Sequence, residues 1–376
     1  MIIVHIVEPF ASGVALFVKS LTDAMPDDMH IIIHGERKEE IAADTVKKKF
    51  NNSPGIRFIR WRSATRAISP LKDFLAFAEL YQILRKLKKS GMADAVHLHS
   101  SKSGFLGRAA CRMAGIKNVF YTPNGASFLS ARAKWKVLLY RFFEKIGYRL
   151  GGKVICSSSS ELEEYQAIGI EACYINNGTD VKEKHIPSFK KQEKRFRMVT
   201  SGRIEEQKNP ELFNEIASYF ADMPEMEFTW IGEGRQKKYL QSPNIQITGW
   251  LPAEHAQELV AAADLYLSTS RYEGLPFAVL EALALKKPVL LSKCTGNSDL
   301  VKHGINGSLF KTATTAIMKI LQYYNNKEML KVMGEFSGAI CSAEFDGRKN
   351  FKLYRSYYAG HQPGFTSQRP VFFANL

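Results

Sequence analysis

At 376 residues the chain is too long for one ordinary hydrophobic core, which suggests two domains of normal size with a cleft between them. A composition of 45% hydrophobic and 24% charged residues, with no low-complexity tract, excludes an extended disordered chain. The formal charge of +15 lies mostly in residues 1–184, where 28 basic residues face 18 acidic ones; this excess fits a phosphorylated substrate or an anionic membrane surface, and with no stacking or base-reading motif a nucleic-acid role is set aside.

The opening "MIIVHIVEPFASG" lacks the basic and long apolar regions of a signal peptide and reads as a buried strand running into a turn. No apolar run reaches the roughly 18 residues needed to span a bilayer. The five cysteines (Cys111, Cys156, Cys173, Cys294, Cys341) form no C-x-x-C pair and are odd in number. A disulfide framework or zinc ribbon is therefore not expected, and a reducing cytoplasm fits.

Along the chain, short apolar runs alternate with helical patterns. "IIVHIV", "GVALFVKSLTDAM" and "HIIIHG" read as strand, helix, strand; so do "AVHLH", "SGFLGRAACRMAG" and "NVFYTP". This is the pattern of βαβ units on a parallel sheet. His97 and His99 are read as a pair on one strand face with no third metal ligand, so zinc is not expected. The segment 131–153 combines basic residues with Trp135, Tyr140, Phe142, Phe143 and Tyr148. It reads either as a helix lying on an anionic leaflet or as an amphipathic helix with its aromatic face in the core.

After "GGKVICSS", "SSELEEYQAIG" and "ACYINNG", the charged stretch "TDVKEKHIPSFKKQEKR" with Pro187 is read as the interdomain linker. A second alternating set follows, from "FRMVTSG" through "LPFAVLEALAL" to "PVLLS". The expected organisation is an N-terminal Rossmann-like domain over 1–184 and a C-terminal one over 185–350. Residues 351–376 are expected to form a C-terminal helix and tail, with a return to the N-terminal domain as one option. Ligands of open parallel sheets sit at the carboxyl ends of the strands, so the site belongs in the cleft.

Two places carry chemistry. The strand "FRMVTSG" ends at Gly202-Arg203, with Lys208-Asn209-Pro210 just before a helix; a close backbone approach, an Arg fork and a Lys point charge together suit a diphosphate. In "YEGLPFAVLEALAL", Pro276 places a helix N-terminus at about 275–277, where free N–H groups favour an anion. Glu273 stands at its mouth, and Glu281 falls more than a turn further in, among residues apolar enough to bury it. A buried carboxylate needs donors, and two ribose hydroxyls would serve.

On "GRIEEQKN" (202–209), "WIGEG" (230–234), "EGLPFAVLEA" (273–282) and "YINNGTD" (174–180), the chain resembles the retaining glycosyltransferases of family four, which have the GT-B fold of two facing Rossmann-like domains; the resemblance implies an acceptor-binding domain over 1–184 and a nucleotide-sugar donor-binding domain over 185–350. The resemblance implies that Arg203 and Lys208 bind the donor diphosphate and stabilise developing charge. Glu281 would hold the ribose; Glu273, with the backbone of Gly274, Leu275, Pro276 and Phe277, would hold the donor sugar and diphosphate. Gly13 matches the family's glycine-rich loop, although the usual paired glycines are here Ser12-Gly13. Lys102 is a candidate acceptor contact. Asn124 stands where relatives commonly carry histidine and cannot act as a general acid or base.

The absence of D-x-D and the implied mechanism, in which the leaving diphosphate takes the acceptor proton, point to metal-independent transfer without a cofactor. The donor implied is a UDP-linked hexose or N-acetylhexosamine. The acceptor implied is a glycan hydroxyl on a polyprenyl-diphosphate carrier, at the inner face of the plasma membrane. A UDP-sugar epimerase on the same fold and a non-catalytic sugar-nucleotide binder stay open beside this reading.

Overall fold

A computed structural model describes residues 1–36, 43–50, 55–65, 69–180 and 195–361. Most of the expected linker and the C-terminal tail from residue 362 lie outside the described residues.

The first half runs β1 (Ile2–Val7), α1 (Ser12–Ala24), β2 (Met29–His34), α2 (Ala43–Lys48), β3 (Ile56–Arg60), α3 (Pro70–Lys89), β4 (Ala95–His99), α4 (Ser101–Met113), β5 (Val119–Thr122), α5 (Lys134–Leu150), β6 (Lys153–Cys156), α6 (Ser159–Ala167) and β7 (Ala172–Tyr174). Its seven strands pair in parallel in the order β3-β2-β1-β4-β5-β6-β7. The second half runs β8 (Phe196–Ser201), α7 (Pro210–Tyr219), β9 (Met226–Ile231), β10 (Ile245–Gly249), α8 (Ala253–Ala262), β11 (Leu265–Ser268), α9 (Phe277–Ala284), β12 (Val289–Ser292), β13 (Gly307–Phe310), α10 (Ala313–Tyr324), α11 (Lys327–Glu344) and α12 (Gly347–Tyr358). Its six strands, again parallel, order as β10-β9-β8-β11-β12-β13. In both sheets the order reverses beside the first strand, which opens a crevice at the carboxyl ends where a ligand can enter.

The strands are apolar on both faces because helices cover both sides. In the first sheet, Val4, Ile6, Ile31, Ile33, Val96 and Leu98 face α3 and α4. The alternate positions Ile3, Val7 and Ile32 face α1 and α12, whose Phe17, Leu21, Phe351, Tyr354 and Tyr358 close that core. Helix α12 thus lies on the N-terminal half although it ends the described chain. Its Arg355 guanidinium donates to Asp28 Oδ2 at 2.9 Å, and the N-terminal ammonium lies 2.7 Å from Asp28 Oδ1. Against the opposing effect of burial, these two cations hold the Asp28 carboxyl below its ordinary range. The two crossings between the halves touch: Thr179 donates its N–H to Phe345 O at 3.0 Å and Gly347 returns one to Thr179 O at 3.0 Å.

The histidine reading needs correction. His97 and His99 are not a pair alone: parallel register sets His5 of β1 opposite His97, and His5, His97 and His99 bring ring nitrogens within 4.8 Å of one another, with His30 beyond. All are buried. Their rings are hydrogen-bonded: His30 Nε2 donates to Met25 O (3.0 Å), which leaves its Nδ1 to accept from His5 Nε2 (3.0 Å) and His5 Nδ1 to accept from His99 Nε2 (3.2 Å). His97 is held separately by Tyr358 Oη (2.6 Å) and Thr122 Oγ1 (2.8 Å). Burial, then the neighbouring rings, push His5, His97 and His99 well below the ordinary imidazole pKa. They form a neutral polar core, so this face of the sheet is not wholly apolar.

Candidate active site

Strand β8 ends at Ser201, and the Gly202 that follows has a φ of +139° that favours glycine. A Cβ there would lie 3.0 Å from Lys208 Cε, so the glycine makes room for the lysine stem. After a 3-10 turn (Glu206–Lys208), Asn209 adopts the left-handed conformation (φ +54°) that Asn tolerates and starts α7. Thr269 Oγ1 donates to the carbonyls of Lys208 (2.8 Å) and Asn209 (3.1 Å), so the loop is fixed to the end of β11.

That loop delivers Lys208 to Glu273. Lys208 Nζ donates to Glu273 Oε1 at 2.7 Å, and Gln207 Nε2 donates to Oε2 at 3.1 Å. Burial works to lower the Lys208 pKa, but the Glu273 carboxylate and then Tyr266 outweigh it and raise it above that of an ordinary lysine. Glu273 stands just before the helix, as expected, and is buried, with its N–H bound to Thr295 O at 3.1 Å; Glu281, expected to be buried, is only partly so. The reason is helical phase. Within α9, Val279, Leu280, Ala282 and Leu283 take the core positions, and residue 281 turns toward the edge of the face.

Helix α9 begins at Phe277 with Pro276 as its N-cap. Opposite it stands the start of α1. Gly13 was expected in a turn but lies in the first helical turn; a Cβ there would be 3.9 Å from Phe277 Cδ2. Ser12 precedes it with φ +49°, and both are exposed. The cleft therefore brings Ser12 and Gly13 of one half against Phe277 of the other, with Gly274, Leu275 and Pro276 buried behind.

The halves meet at Gly274. A Cβ on it would lie 2.8 Å from Gly125 N and 3.0 Å from Asn124 C, so no larger residue fits without backbone movement. Asn124 sits in the left-handed region (φ +55°) in this turn. Glu161 supports the same turn by accepting from Gly125 N–H at 2.8 Å and Ser157 N–H at 2.7 Å. Burial pushes the Glu161 carboxyl up to about 7, in spite of those two donors. Ser158 Oγ donates to Gly274 O (2.8 Å), Asn177 Nδ2 to Leu275 O (2.9 Å), and Ser160 N–H to Asp299 Oδ1 (3.0 Å). Sequence reasoning gave no role to Gln207, Ser158, Glu161 or Asn177, although Gln207 lies within 202–209, Asn177 within 174–180, and Ser158 in the serine run 157–160. Lys102, at the start of α4, has its ammonium 2.6 Å from Asp73 Oδ1 and donates to Thr65 Oγ1 at 3.3 Å.

Comparison with known proteins fits this geometry. The profile for group 1 glycosyl transferases matches residues 181–337, and that for glycosyltransferase family 4 matches 11–183. The chain is 31% identical over 272 residues, covering 65% of it and 68% of the relative, to the UDP-Gal:alpha-D-GlcNAc-diphosphoundecaprenol alpha-1,3-galactosyltransferase of Escherichia coli. The protein belongs to the family 4 glycosyltransferases. A 41.2 kDa protein of the Klebsiella pneumoniae cps region is 25% identical, with 82% of this chain and 86% of that one aligned. Among solved structures, sucrose-phosphate synthase from Thermosynechococcus elongatus superposes with a TM-score of 0.77 at 17% identity, covering 95% and 99% of the two chains. Anabaena HepE in complex with UDP and glucose gives 0.75 at 17%, with the same coverage. The fold of this glycosyltransferase is thus GT-B, two facing parallel α/β domains.

Helix α5 divides its aromatic residues. Tyr140 and Tyr148 pack on the N-terminal core, whereas Trp135 (64% exposed), Leu138 (67%) and Phe142 (57%) face solvent, with Lys134, Lys136, Lys145 and Arg149 exposed beside them. Its one carboxylate, Glu144, is buried and accepts from Tyr121 Oη at 3.0 Å. The aromatic face is only partly in the core, and the rest is an apolar, cationic surface with no exposed acid of its own. No described helix is long and apolar enough to cross a membrane.

Proposed function

We propose that this glycosyltransferase transfers a hexose or N-acetylhexosamine, with retention and without a metal, from a UDP-linked donor to a hydroxyl of a polyprenyl-diphosphate-linked oligosaccharide in capsule, O-antigen or exopolysaccharide synthesis. The observation that carries the reading is the cluster at the start of α9: Lys208 paired to buried Glu273, with Arg203 on the same loop and Ser12-Gly13 across the cleft. A diphosphate arriving there meets one guanidinium, one ammonium and the free N–H groups of a helix N-terminus. Lys208, already held by Glu273, can share its charge with the leaving group as it develops. Glu281 takes the ribose hydroxyls, Glu273 and the Gly274–Phe277 backbone the donor sugar, and Asn124 a sugar hydroxyl. With no titratable group in the place of Asn124, the leaving diphosphate accepts the acceptor proton.

The names of the relatives support the finer points: the Escherichia coli relative is named for a UDP-sugar donor and a diphosphoundecaprenol acceptor, and the Anabaena protein binds UDP and glucose. The exposed face of α5 supports docking on an anionic leaflet. The test is to incubate the purified protein, treated with chelator, with a panel of nucleotide sugars with and without lipid-linked acceptors, and to follow nucleotide release and the anomeric configuration of the product. Transfer that requires the acceptor and retains configuration is expected. An epimerised donor without acceptor, or binding without turnover, overturns the reading.

A further inference from the structure

Between the two halves lies a cavity of about 850 Å³ that is not the donor wall just described. Its lining includes Arg203 and Gln207, which border both, but not Gly13, Lys208, Glu273 or Glu281. Its floor is the carboxyl ends of β11, β12 and β13. Its far wall is the N-terminal segment 129–132. Five cations line it, Arg132, Arg203, Arg271, Lys293 and Lys311, against two carboxylates, Glu205 and Glu206.

The charges are unevenly used. Arg132 pairs with Glu206 at 2.5 Å, and Arg271 reaches Glu211 at 3.3 Å and Asn209 Oδ1 at 2.7 Å. Lys293 and Lys311 are exposed and pair with no carboxylate among the described residues. Cations gathered round one cavity repel one another unless an anion enters. Arginine forks with lysine point charges, spread over a wide cavity, fit a group with two charged phosphates better than a single carboxylate.

What stands beside the cavity selects among diphosphates. The wall ending at Arg132 continues after one residue into α5, whose Trp135, Leu138 and Phe142 run along about 10 Å of exposed helix. An occupant with its charged end in the cavity can therefore lay an apolar chain on that face. We propose that the cavity is an acceptor subsite that binds the diphosphate of a lipid-linked acceptor, with Lys293 and Lys311 as its specificity-determining cations. Arg203, on the shared border, lies between the donor and acceptor phosphates. This inference rests on the glycosyltransferase reading above and adds to it where the carrier's phosphates bind.

The probe is farnesyl diphosphate, titrated calorimetrically into the full chain held at saturating UDP, with inorganic pyrophosphate and farnesol as separate arms. Farnesyl diphosphate is expected to bind alongside UDP. Pyrophosphate and farnesol are each expected to bind at least tenfold more weakly. The Lys293→Ala/Lys311→Ala double variant is expected to lose at least tenfold in farnesyl diphosphate affinity while its UDP affinity stays within twofold of wild type. Both lysines are exposed, so the melting temperature should not move. Competition between farnesyl diphosphate and UDP, an unchanged affinity in the double variant, or pyrophosphate binding as tightly as farnesyl diphosphate would each overturn the subsite. Failure of the wild-type chain to bind UDP, with lysine-dependent binding of farnesyl diphosphate intact, would instead overturn the donor reading and leave the cavity assigned.

Discussion

The buried histidines make the N-terminal half acid-labile in a way that can be measured one ring at a time. His5, His97 and His99 stay neutral in the fold because burial depresses their pKa values, whereas in the unfolded chain each takes up a proton near the ordinary 6.5. For a base with a depressed folded pKa, the stabilising contribution is present above pH 6.5 and is lost as pH falls toward the folded value. For each ring that remains neutral in the fold down to pH 5.5, the loss between pH 7.5 and 5.5 is about 1.4 kcal/mol, hence about 4 kcal/mol for three. Glu161 acts in the opposite sense: raised to about 7, it takes up its proton in the folded state first and returns about 2 kcal/mol over the same interval. Wild type is therefore left with a net acid loss of about 2 kcal/mol that sums several groups of opposite sign, and the variant that isolates one ring is His99→Gln, whose amide can still donate to His5 Nδ1. Urea unfolding at both pH values should show the stability difference between variant and wild type shifting by about 1.4 kcal/mol in favour of the variant at pH 5.5. A shift below about 0.3 kcal/mol would refute the neutral-core argument.

Five other substitutions test the site. Gly274→Ala puts a Cβ 2.8 Å from Gly125 N, so it should part the halves and cut turnover at least about tenfold while the far-UV circular dichroism stays that of wild type; wild-type turnover would show that the contact is not needed. Arg203→Ala or Lys208→Ala should lower kcat by about 10²–10³ with a smaller effect on nucleotide affinity, as expected for groups that meet charge developing in the transition state. Glu281→Ala should instead weaken nucleotide binding by about 10–100-fold, the worth of a charge-assisted hydrogen bond, and a kcat effect without an affinity effect would reassign it. For Glu161→Gln, the wild-type carboxyl contributes stability that is fully present below about pH 4.5 and is lost as pH rises through about 7, about 3 kcal/mol in all. Melts from pH 5 to 8 should therefore show the variant gaining on wild type as pH rises, and a constant difference would mean that Glu161 does not titrate in this range.

The local chemistry was legible in the amino-acid sequence. Alternating apolar runs and helical patterns set two parallel α/β units, and Pro276 marked the start of α9, because period and turn chemistry act over a few residues. The partners of the charged residues were not legible. Glu273 meets Lys208, 65 positions earlier, because the order β8-β11 sets two non-consecutive strand ends side by side. His5 meets His97 because β1 lies between β2 and β4. Helix α12 covers the first sheet because the chain crosses back at Thr179 and Phe345. The partial exposure of Glu281 departs from the expectation drawn from its apolar neighbours, because helical phase decides it, and the burial of Glu273 follows from the packing of its loop at Thr295. Sequence alone thus determined which groups this protein carries and on which kinds of element. Tertiary structure decided which of them share a site, because contacts between distant residues follow strand order and domain closure, which no local pattern encodes.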